Sequence, residues 1–209
     1  MSRYNLDKNM NQRESPKLIV RKGRFLVKGY QTFEIDSQNI YNPQRKLLKK
    51  SKIIRKIIRK HQRKCQTLLD IGCSQGYYSY YAYFKKYQVT SIEHDPMYVK
   101  QLDTINRSFN LNINVKRRKF SMIKDSKYDI VLFLALIHWV YNSTDNFNSF
   151  KKILKKLYQL TGRILIIEWI TEKDSAITST DKVKYKDYNT TNFISDLHKL
   201  KFEKIIKKK

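Results

Sequence analysis

The stretch LLDIGCSQGYYSYYAYF, residues 68–84, combines an acid with two glycines in an order expected of a ligand-binding loop. An apolar run ends at Asp70, and Gly72 and Gly76, two of only five glycines in the chain, follow four residues apart. Glycine lets the backbone approach a ligand without a Cβ, and a helix after such a loop is expected to present free N–H groups. The spacing D-x-G-x-x-x-G, with Ser74 in its middle, differs from the G-x-G-x-x-G of dinucleotide sites.

A second acid, Glu93, ends the next apolar stretch, QVTSIEHD. Its two carboxylate oxygens could accept hydrogen bonds from a vicinal diol. The alternative interpretation gives both acids local roles, with Asp70 capping the loop and Glu93 forming a solvated strand end.

The stretch ALIHWVY carries a third set of candidate residues. His138 could act as a general base, because its ordinary pKa lies near neutrality. Trp139 and Tyr141 could stack on a base or line a substrate site, and Tyr141 is kept with His138 as a candidate catalytic residue. The alternative is a core aromatic cluster that contains a satisfied histidine.

The elements that must position these residues alternate between strand and helix from residue 67 onward. The predicted strands are TLLDI, QVTSIEHD, NINVKRRKF, YDIVLFLAL, RILIIEWI and FEKIIKK, and the predicted helices are YYSYYAYFKKY, PMYVKQLDTINRSFN, SFKKILKKLYQLT and TTNFISDLHKL. We expect Pro96 to open the second helix and Gly162 to close the third. This order predicts an α/β fold with a doubly wound, mostly parallel sheet.

The N-terminal part is expected to form an extension before this domain. Residues 1–15 read as a loosely attached arm, and KLIVRKGRFLVKGYQTFEI as one or two strands in a β-hairpin. Residues 42–64 predict a helix that has Pro43 in its first turn and one apolar face. We therefore expect an extension over residues 1–64 and a ligand-binding domain over residues 65–209. The apolar face of the helix is formed by Leu47, Leu48, Ile54, Ile57 and Ile58.

Taken together, LLDIGCSQG and VTSIEHDP resemble the first two motifs of the class I S-adenosylmethionine-dependent methyltransferases. YDIVLFLALIHWVY and GRILIIEWI are similar to that family's fourth and fifth strand motifs. The resemblance implies a Rossmann-like methyltransferase fold and S-adenosylmethionine as the cofactor. Because the chain ends near the sixth strand, the family's last antiparallel strand is expected to be missing.

The resemblance also implies a role for each matching residue. Glu93 matches the acid that takes the ribose hydroxyls, and Leu134 lies at the end of the fourth strand. The family's acid for the adenine amino group has no counterpart near Ser121, so Phe120 or Asp125 is expected there instead. The candidate cofactor-binding residues around the first strand are Asp70, Gly72, Cys73, Ser74, Gly76 and Tyr77.

The nature of the methyl acceptor is suggested mainly by charge. The chain has 44 basic and 18 acidic residues and a formal net charge of +26, which favours a polyanion such as RNA. Residues 43–64 contain eleven Lys or Arg and no acid. Contact with a membrane surface, or a plain charged helix in a lysine-rich protein, are the alternatives. The candidate phosphate-binding residues in this segment are Arg45, Lys46, Lys49 and Lys52, with Trp139 as a further substrate contact.

Motifs of several acceptor classes are missing. There is no NPPY or DPPY stretch after the fourth strand, which argues against amino methylation of adenine or glutamine. There is also no cysteine nucleophile motif for cytosine C5 and no acid in LALIHW for cap-type ribose methylation. LxLIHWVY instead resembles part of the Bin3-type RNA methyltransferases, although His138 stands where that group has lysine and Tyr141 where it has histidine. RNA is thus the favoured acceptor. The alternatives are a small-molecule or protein O- or N-methyltransferase, and an inactive methyltransferase fold that binds RNA.

Composition also limits the cellular setting. No apolar run has the length of a membrane span, and the N-terminal residues lack the apolar core of a signal peptide. The two cysteines, Cys65 and Cys73, form neither a disulfide framework nor a CxxC metal motif, so no metal site is expected. We expect an intracellular protein of the cytoplasm or the nucleus, with unknown protein partners.

Overall fold

In the computed structural model, residues 16–41, 43–124, 126–143, 145–178 and 187–202 are described. The first of these form an antiparallel sheet of four strands in the order β1-β2-β3-β4, which is more than the predicted hairpin. Asp125, the predicted N-terminal arm and nearly all of the predicted strand FEKIIKK lie outside the described residues. The four strands are β1 (Lys17–Arg21), β2 (Arg24–Lys28), β3 (Phe33–Ile35) and β4 (Ile40–Tyr41).

The basic helix α1 (Arg45–His61) follows this sheet. It begins two residues after Pro43, because the Gln44 N–H bonds to the Thr32 carbonyl and holds the chain extended before the first turn. Leu48 is exposed, in contrast to its predicted place on the apolar face. The residues of α1 that do pack into the core are Leu47, Ile54 and Ile58.

Strands and helices then alternate as predicted. Single 3-10 turns at Phe120–Met122 and Asp145–Phe147 interrupt the connections. The elements are β5 (Thr67–Ile71), α2 (Tyr77–Phe84), β6 (Gln88–Glu93), α3 (Pro96–Phe109), β7 (Asn114–Arg117), β8 (Tyr128–Leu134), α4 (Ile137–Ser143), α5 (Phe150–Leu160), β9 (Thr161–Glu168), α6 (Ser175–Thr178) and α7 (Thr190–His198).

The second sheet has the order β7-β6-β5-β8-β9, and every described pairing in it is parallel. From β5 the chain winds outward in one direction through β6 and β7, and in the other through β8 and β9. The carboxyl ends of β5 and β8 therefore flank the point where the strand order reverses, which is where ligands bind in open α/β sheets. The predicted α/β fold with a doubly wound parallel sheet is confirmed.

Alternating side chains of the central strands enter two cores, one on each face of this sheet. Leu68 and Ile130 pack with α1, α2 and the N-terminal sheet, whereas Leu69 and Val131 pack with α4, α5 and α7. Strand β8 is buried on both faces, as its continuous apolar run predicted.

Two predicted boundaries are wrong. Gly162 does not close α5, because the Thr161 hydroxyl donates to the Leu157 carbonyl at 2.7 Å and the chain enters β9 directly. The fourth strand stops at Leu134, since Ala135 adopts a left-handed φ of 49°. The stretch IHWVY consequently lies in α4 and not at a strand end.

Candidate active site

The glycine loop, residues 72–76, lies at the carboxyl ends of β5 and β6, and three of its residues have a left-handed backbone conformation. Gly72, Ser74 and Gly76 have φ of 69°, 52° and 84°, and the Gly72 and Cys73 N–H groups donate to the Ile92 carbonyl at 2.8 and 3.2 Å. Such φ values favour glycine, which explains two of the three residues.

Protein side chains occupy the space beside both glycines. A Cβ on Gly72 would lie 2.8 Å from Leu136, in the connection after β8, and a Cβ on Gly76 would collide with Leu102 and approach Tyr80 to 2.9 Å. Close packing and the left-handed turn therefore account for these glycines by themselves, and their contact with a ligand stays a prediction.

Asp70 is buried on β5, with 3% of its surface exposed. Its Oδ2 accepts a 2.7 Å hydrogen bond from the Ser79 hydroxyl, which in turn accepts one of 2.8 Å from the Ser91 hydroxyl. Burial raises the pKa of Asp70 to about 6, and the nearby Glu93 charge also raises it, while hydrogen bonds from the Ser79 hydroxyl and backbone oppose the shift. Asp70 thus titrates close to neutral pH.

Glu93 ends β6 with 5% of its surface exposed and its carboxylate held by neighbouring groups. Oε2 accepts from the Ser74 N–H at 2.9 Å, and Oε1 accepts from the His94 and Asp95 N–H groups at 2.7 and 3.0 Å. The His94 Nδ1 also lies 3.1 Å from Oε1. Burial raises the pKa of Glu93, but these hydrogen bonds outweigh it and hold the pKa below its ordinary value. The solvated strand end is therefore excluded.

The amino end of α2 differs from the expected row of free N–H groups. The Tyr77 N–H donates to Gln31 Oε1 at 3.2 Å, and the Tyr80 N–H donates to the Gly76 carbonyl at 2.9 Å. The Ser79 N–H donates a hydrogen bond to the carboxylate of Asp70. Most N–H groups in the first turn of α2 are thus already bonded to acceptors within the protein.

Several predicted ligand contacts are core residues. Tyr77 is 1% exposed, and its ring packs 5.7 Å from Phe33 of the N-terminal sheet, while its contact with a ligand stays a prediction. Phe120 is also buried and packs between Phe133 and Phe147, at 5.3 and 4.9 Å.

Cys73 is buried as well, and burial raises the pKa of its thiol. Leu134 is half-buried and pairs with Glu168 of β9. Two exposed methionines, Met97 in the first turn of α3 and Met122 after β7, lie beyond the carboxyl ends of β6 and β7. Nothing in the sequence around these two methionines marked them as candidate site residues.

Helix α4 carries the candidate catalytic residues. His138 is buried, with its ring centroid 5.4 Å from that of Trp139, whose side chain is 37% exposed. Tyr141 packs 4.9 Å from Phe150 and lines a cavity of about 210 Å³ between α4, α5 and α7. Burial, with added repulsion from Asp187 and Asp196, raises the pKa of Tyr141, so its hydroxyl stays protonated at neutral pH.

The first turn of helix α1 lies toward the carboxyl edge of the parallel sheet, where the glycine loop is. The bond from Gln44 to Thr32 joins that turn to the β2–β3 connection, which contacts the amino end of α2, whereas the last turn leads to the start of β5. Arg45 and Lys52 are exposed on α1, and the side chains of Lys46 and Lys49 lie outside the described part.

Sequence reasoning missed the groups that support the two acids. Ser79 of α2 reaches Asp70, and Ser91 of β6 reaches Ser79, only because separate elements meet in the fold, whereas His94 bonds to Glu93 as its neighbour in the chain. Ala135, left-handed without being glycine, is a strained position of the kind that clusters at functional sites. Its sequence neighbours carry no signal of that conformation.

Comparisons with known proteins bear on the family and the fold of this chain. The profile of the family described as "Tellurite resistance protein TehB" matches residues 33–208. No curated protein matches the chain significantly.

Solved structures of similar fold include the PH0226 protein from Pyrococcus horikoshii OT3 and WbdD. The first has 12% identity and a TM-score of 0.53 over 74% of this chain and 82% of that one. A 2.2 Å structure of WbdD has 14% identity and a TM-score of 0.52 over 72% of this chain and 34% of that one, so this chain spans about a third of WbdD. Another WbdD structure is described as a bifunctional kinase-methyltransferase, with 15% identity and a TM-score of 0.51 over 62% and 30% of the two chains.

These matches give no support to the resemblance to Bin3-type RNA methyltransferases, which stays a hypothesis. Within the described residues, no helix is both long and apolar enough to cross a membrane. The family profile covers most of the chain, and the methyltransferase-like fold agrees with it. The chain belongs to the TehB family, a family of S-adenosylmethionine-dependent methyltransferases.

Proposed function

We propose that this protein transfers the methyl group of S-adenosylmethionine to a small, anionic acceptor at the carboxyl edge of β5, β6 and β8. The observation that carries the proposal is the buried Glu93 carboxylate, which backbone N–H groups hold at the switch point beside the glycine loop. Local hydrogen bonds keep this carboxylate ionised, so it presents a charged acceptor beside the glycine loop.

The two buried acids fit this cofactor by their chemistry. Bound S-adenosylmethionine supplies an electrophilic methyl group on a positively charged sulfur. Glu93 Oε2 accepts a hydrogen bond from the Ser74 N–H and keeps acceptor capacity for a hydroxyl. Asp70 contributes negative charge beneath the loop, and its ionised form is favoured by a nearby cation.

The remaining residues of the edge would orient the acceptor and exclude water. Leu136 lies over Gly72 and is the side chain that closes this part of the edge. Trp139, the most exposed candidate of α4, offers a face for an acceptor, and His138 in the same turn could take a proton. Tyr141, with its raised pKa, would donate a hydrogen bond and would not serve as a base.

A small anionic acceptor is favoured by the family match and by charge together. The family's description refers to tellurite, which is an inorganic oxyanion. A net charge of +26 raises the local concentration of anions around the protein. We keep the intracellular setting, in the cytoplasm or nucleus, as part of this proposal.

A methyl-transfer panel tests the acceptor class. The purified protein is incubated with S-adenosylmethionine tritiated in the methyl group and with tellurite, a mixture of anionic metabolites, total RNA or a protein extract. We expect label in the small-molecule fractions, and none when Glu93→Ala replaces the wild type. Label confined to the protein extract would overturn the small-molecule proposal.

RNA is the second candidate acceptor, and the orientation of α1 favours it. The helix has exposed cations from its first turn onward, and that turn lies near the candidate cofactor edge. Label found only in RNA, with an apparent affinity that falls steeply with salt, would favour this candidate. Modification of a terminal phosphate, as the Bin3-type resemblance implies, would then be its sharpest form.

A further inference from the structure

The turn between β2 and β3, residues 29–32, is tied to the glycine loop by two glutamines. Gln31 Oε1 accepts from the Tyr77 N–H at 3.2 Å, and the Gln31 N–H donates to Gln75 Oε1 at 2.6 Å. Gln75 Nε2 completes the connection by donating to the Lys28 carbonyl at 2.7 Å. Both glutamines are buried, at 8% and 0% exposure, so solvent does not weaken these bonds.

Gln31 provides a cap that the loop itself lacks. The residue before α2 is Gly76, which has no side chain to accept an N–H of the first turn. The Ser79 N–H is taken by Asp70, but Tyr77 is 1% exposed and depends on Gln31 for its acceptor. A buried N–H without a partner is costly, so the loop conformation is coupled to the presence of Gln31.

The turn is shaped for this contact. A Cβ on Gly29 would lie 2.9 Å from the Gln75 amide, so glycine permits the close approach. The Thr32 hydroxyl accepts from the Gly29 N–H at 3.2 Å and donates to the Gly29 carbonyl at 3.1 Å, which closes the turn.

The contact leads directly to the candidate cofactor site. The loop that Gln31 and Gln75 hold also contains Ser74, whose N–H fixes Glu93 Oε2. The family profile begins at residue 33, so Gln31 lies outside the matched segment. The loss of Gln31, which the family profile does not include, would therefore reach Glu93 through Ser74.

We propose that Gln31 is a positioning residue for cofactor binding, which makes the N-terminal sheet part of the cofactor site although none of its side chains needs to touch the cofactor. Its Oε1 fixes the Tyr77 N–H, and the loop then holds Ser74 against Glu93. This inference rests on the proposed binding of S-adenosylmethionine.

Gln31→Ala and Gln31→Glu test the proposal, with Gln38→Ala as the matched control. Gln38 is an exposed glutamine on the same sheet segment, whereas Glu at position 31 keeps an acceptor oxygen for the Tyr77 N–H. Binding of S-adenosylmethionine is measured by calorimetry at a temperature where circular dichroism finds every variant folded. Methyl transfer under saturating acceptor gives kcat and KM.

We expect Gln31→Ala to raise the Kd and KM for S-adenosylmethionine about tenfold with kcat nearly unchanged, which corresponds to the loss of one buried hydrogen bond. Gln31→Glu should restore most of the affinity, and Gln38→Ala should bind like the wild type. Amide exchange at Tyr77 should accelerate in Gln31→Ala alone.

The outcomes separate this inference from the proposed function. If the wild type does not bind S-adenosylmethionine, the proposed function fails and the inference fails with it. If the wild type binds and folded Gln31→Ala binds equally well, only the inference is overturned. A loss of thermal stability without a change in Kd would likewise reduce Gln31 to a structural cap.

Discussion

The two acids of the candidate site differ in how the fold treats their charge. Burial raises the pKa of Glu93, but hydrogen bonds from the His94 ring and from three backbone N–H groups outweigh it and hold that pKa low. Burial of Asp70, in contrast, raises its pKa to about 6 from an ordinary value of 3.8. At neutral pH Asp70 is mostly ionised in the folded protein, but its buried charge lowers the stability of the fold relative to the unfolded chain. A role in binding a cation would explain why an acid that costs stability is found at this buried position.

Asp70→Asn should stabilise the fold at pH 8 and abolish cofactor binding. Because the folded pKa lies above the unfolded one, the folded state keeps a proton that the unfolded state releases, and stability falls as pH rises from about 4 through 6. Removing the charge should gain up to about 3 kcal/mol at pH 8 and little near pH 4. Urea unfolding of both proteins across this range measures the gain.

Asp129→Asn is the control with the opposite sign. Burial raises the pKa of Asp129, but hydrogen bonds from Gln66 and Thr67, with the charge of Arg163, outweigh it and lower the pKa. This variant should therefore lose stability at pH 8. A gain for Asp70→Asn that does not vary with pH would contradict the assignment of a buried charge to that residue.

Gly76→Ala and Gly23→Ala separate backbone strain from packing. Both glycines have a left-handed φ, of 84° and 76°, but a Cβ on Gly76 meets Leu102 and Tyr80, whereas a Cβ on Gly23 meets no atom within 4 Å. We expect a loss of about 1 kcal/mol for Gly23→Ala and about 3 kcal/mol for Gly76→Ala, measured by chemical denaturation. Equal losses would mean that the α2–α3 contact yields easily.

At the scale of elements, α1 has cations at both ends, and those of its first turn oppose the helix dipole. It begins at Arg45 and has no acid in its first turn, where acids are favourable, whereas Arg59 and Lys60 lie in its last turn, where cations are favourable. The cations of the first turn therefore cost stability, and their retention is explained if they meet an anion there.

Charge reversal at the two ends of α1 tests this explanation. Arg45→Glu should raise thermal stability by about 0.5 kcal/mol and weaken binding of an anionic ligand or RNA, while Lys60→Glu should lower stability by a similar amount and change binding little. Thermal denaturation and RNA binding at several salt concentrations provide both readouts. Equal weakening by both variants would show that binding follows net charge and not the position on α1.

The elements that sequence predicts correctly are those that local chemistry specifies. Strand β8 is recognisable by its continuous apolar run, and α3 begins at Pro96 after the Asp95 cap, whose Oδ1 accepts from the Met97 N–H. The end of α5 and the start of α4 depend on Thr161 and Ala135, whose conformations are decided by neighbours in the fold, so neither boundary was predicted.

The residues of the candidate site also divide into those that the sequence predicts and those that only the fold brings together. Asp70 and Glu93 are recognisable from sequence because an acid at the end of an apolar strand is poorly suited to a core and points to a specific partner. The Gln31 contact with Tyr77 and the position of Leu136 over Gly72 join residues 46 and 64 positions apart, and only the folded chain brings them together.

At the scale of the molecule, two sheets combine into one candidate site. The parallel sheet supplies the acids at its switch point, and the antiparallel sheet supports the glycine loop from outside. The division predicted at residue 64 stays a prediction, although buried hydrogen bonds cross it between residues 28–31 and 75–77.

Calorimetric titration of S-adenosylmethionine into wild-type protein and into Glu93→Gln tests the central claim most directly. We predict saturable binding of one cofactor per chain by the wild type. Glu93→Gln should weaken it at least about tenfold, because it replaces a charged acceptor of the ribose hydroxyls by a neutral amide. A folded wild type that does not bind, or equal affinity of the two proteins, would contradict the claim.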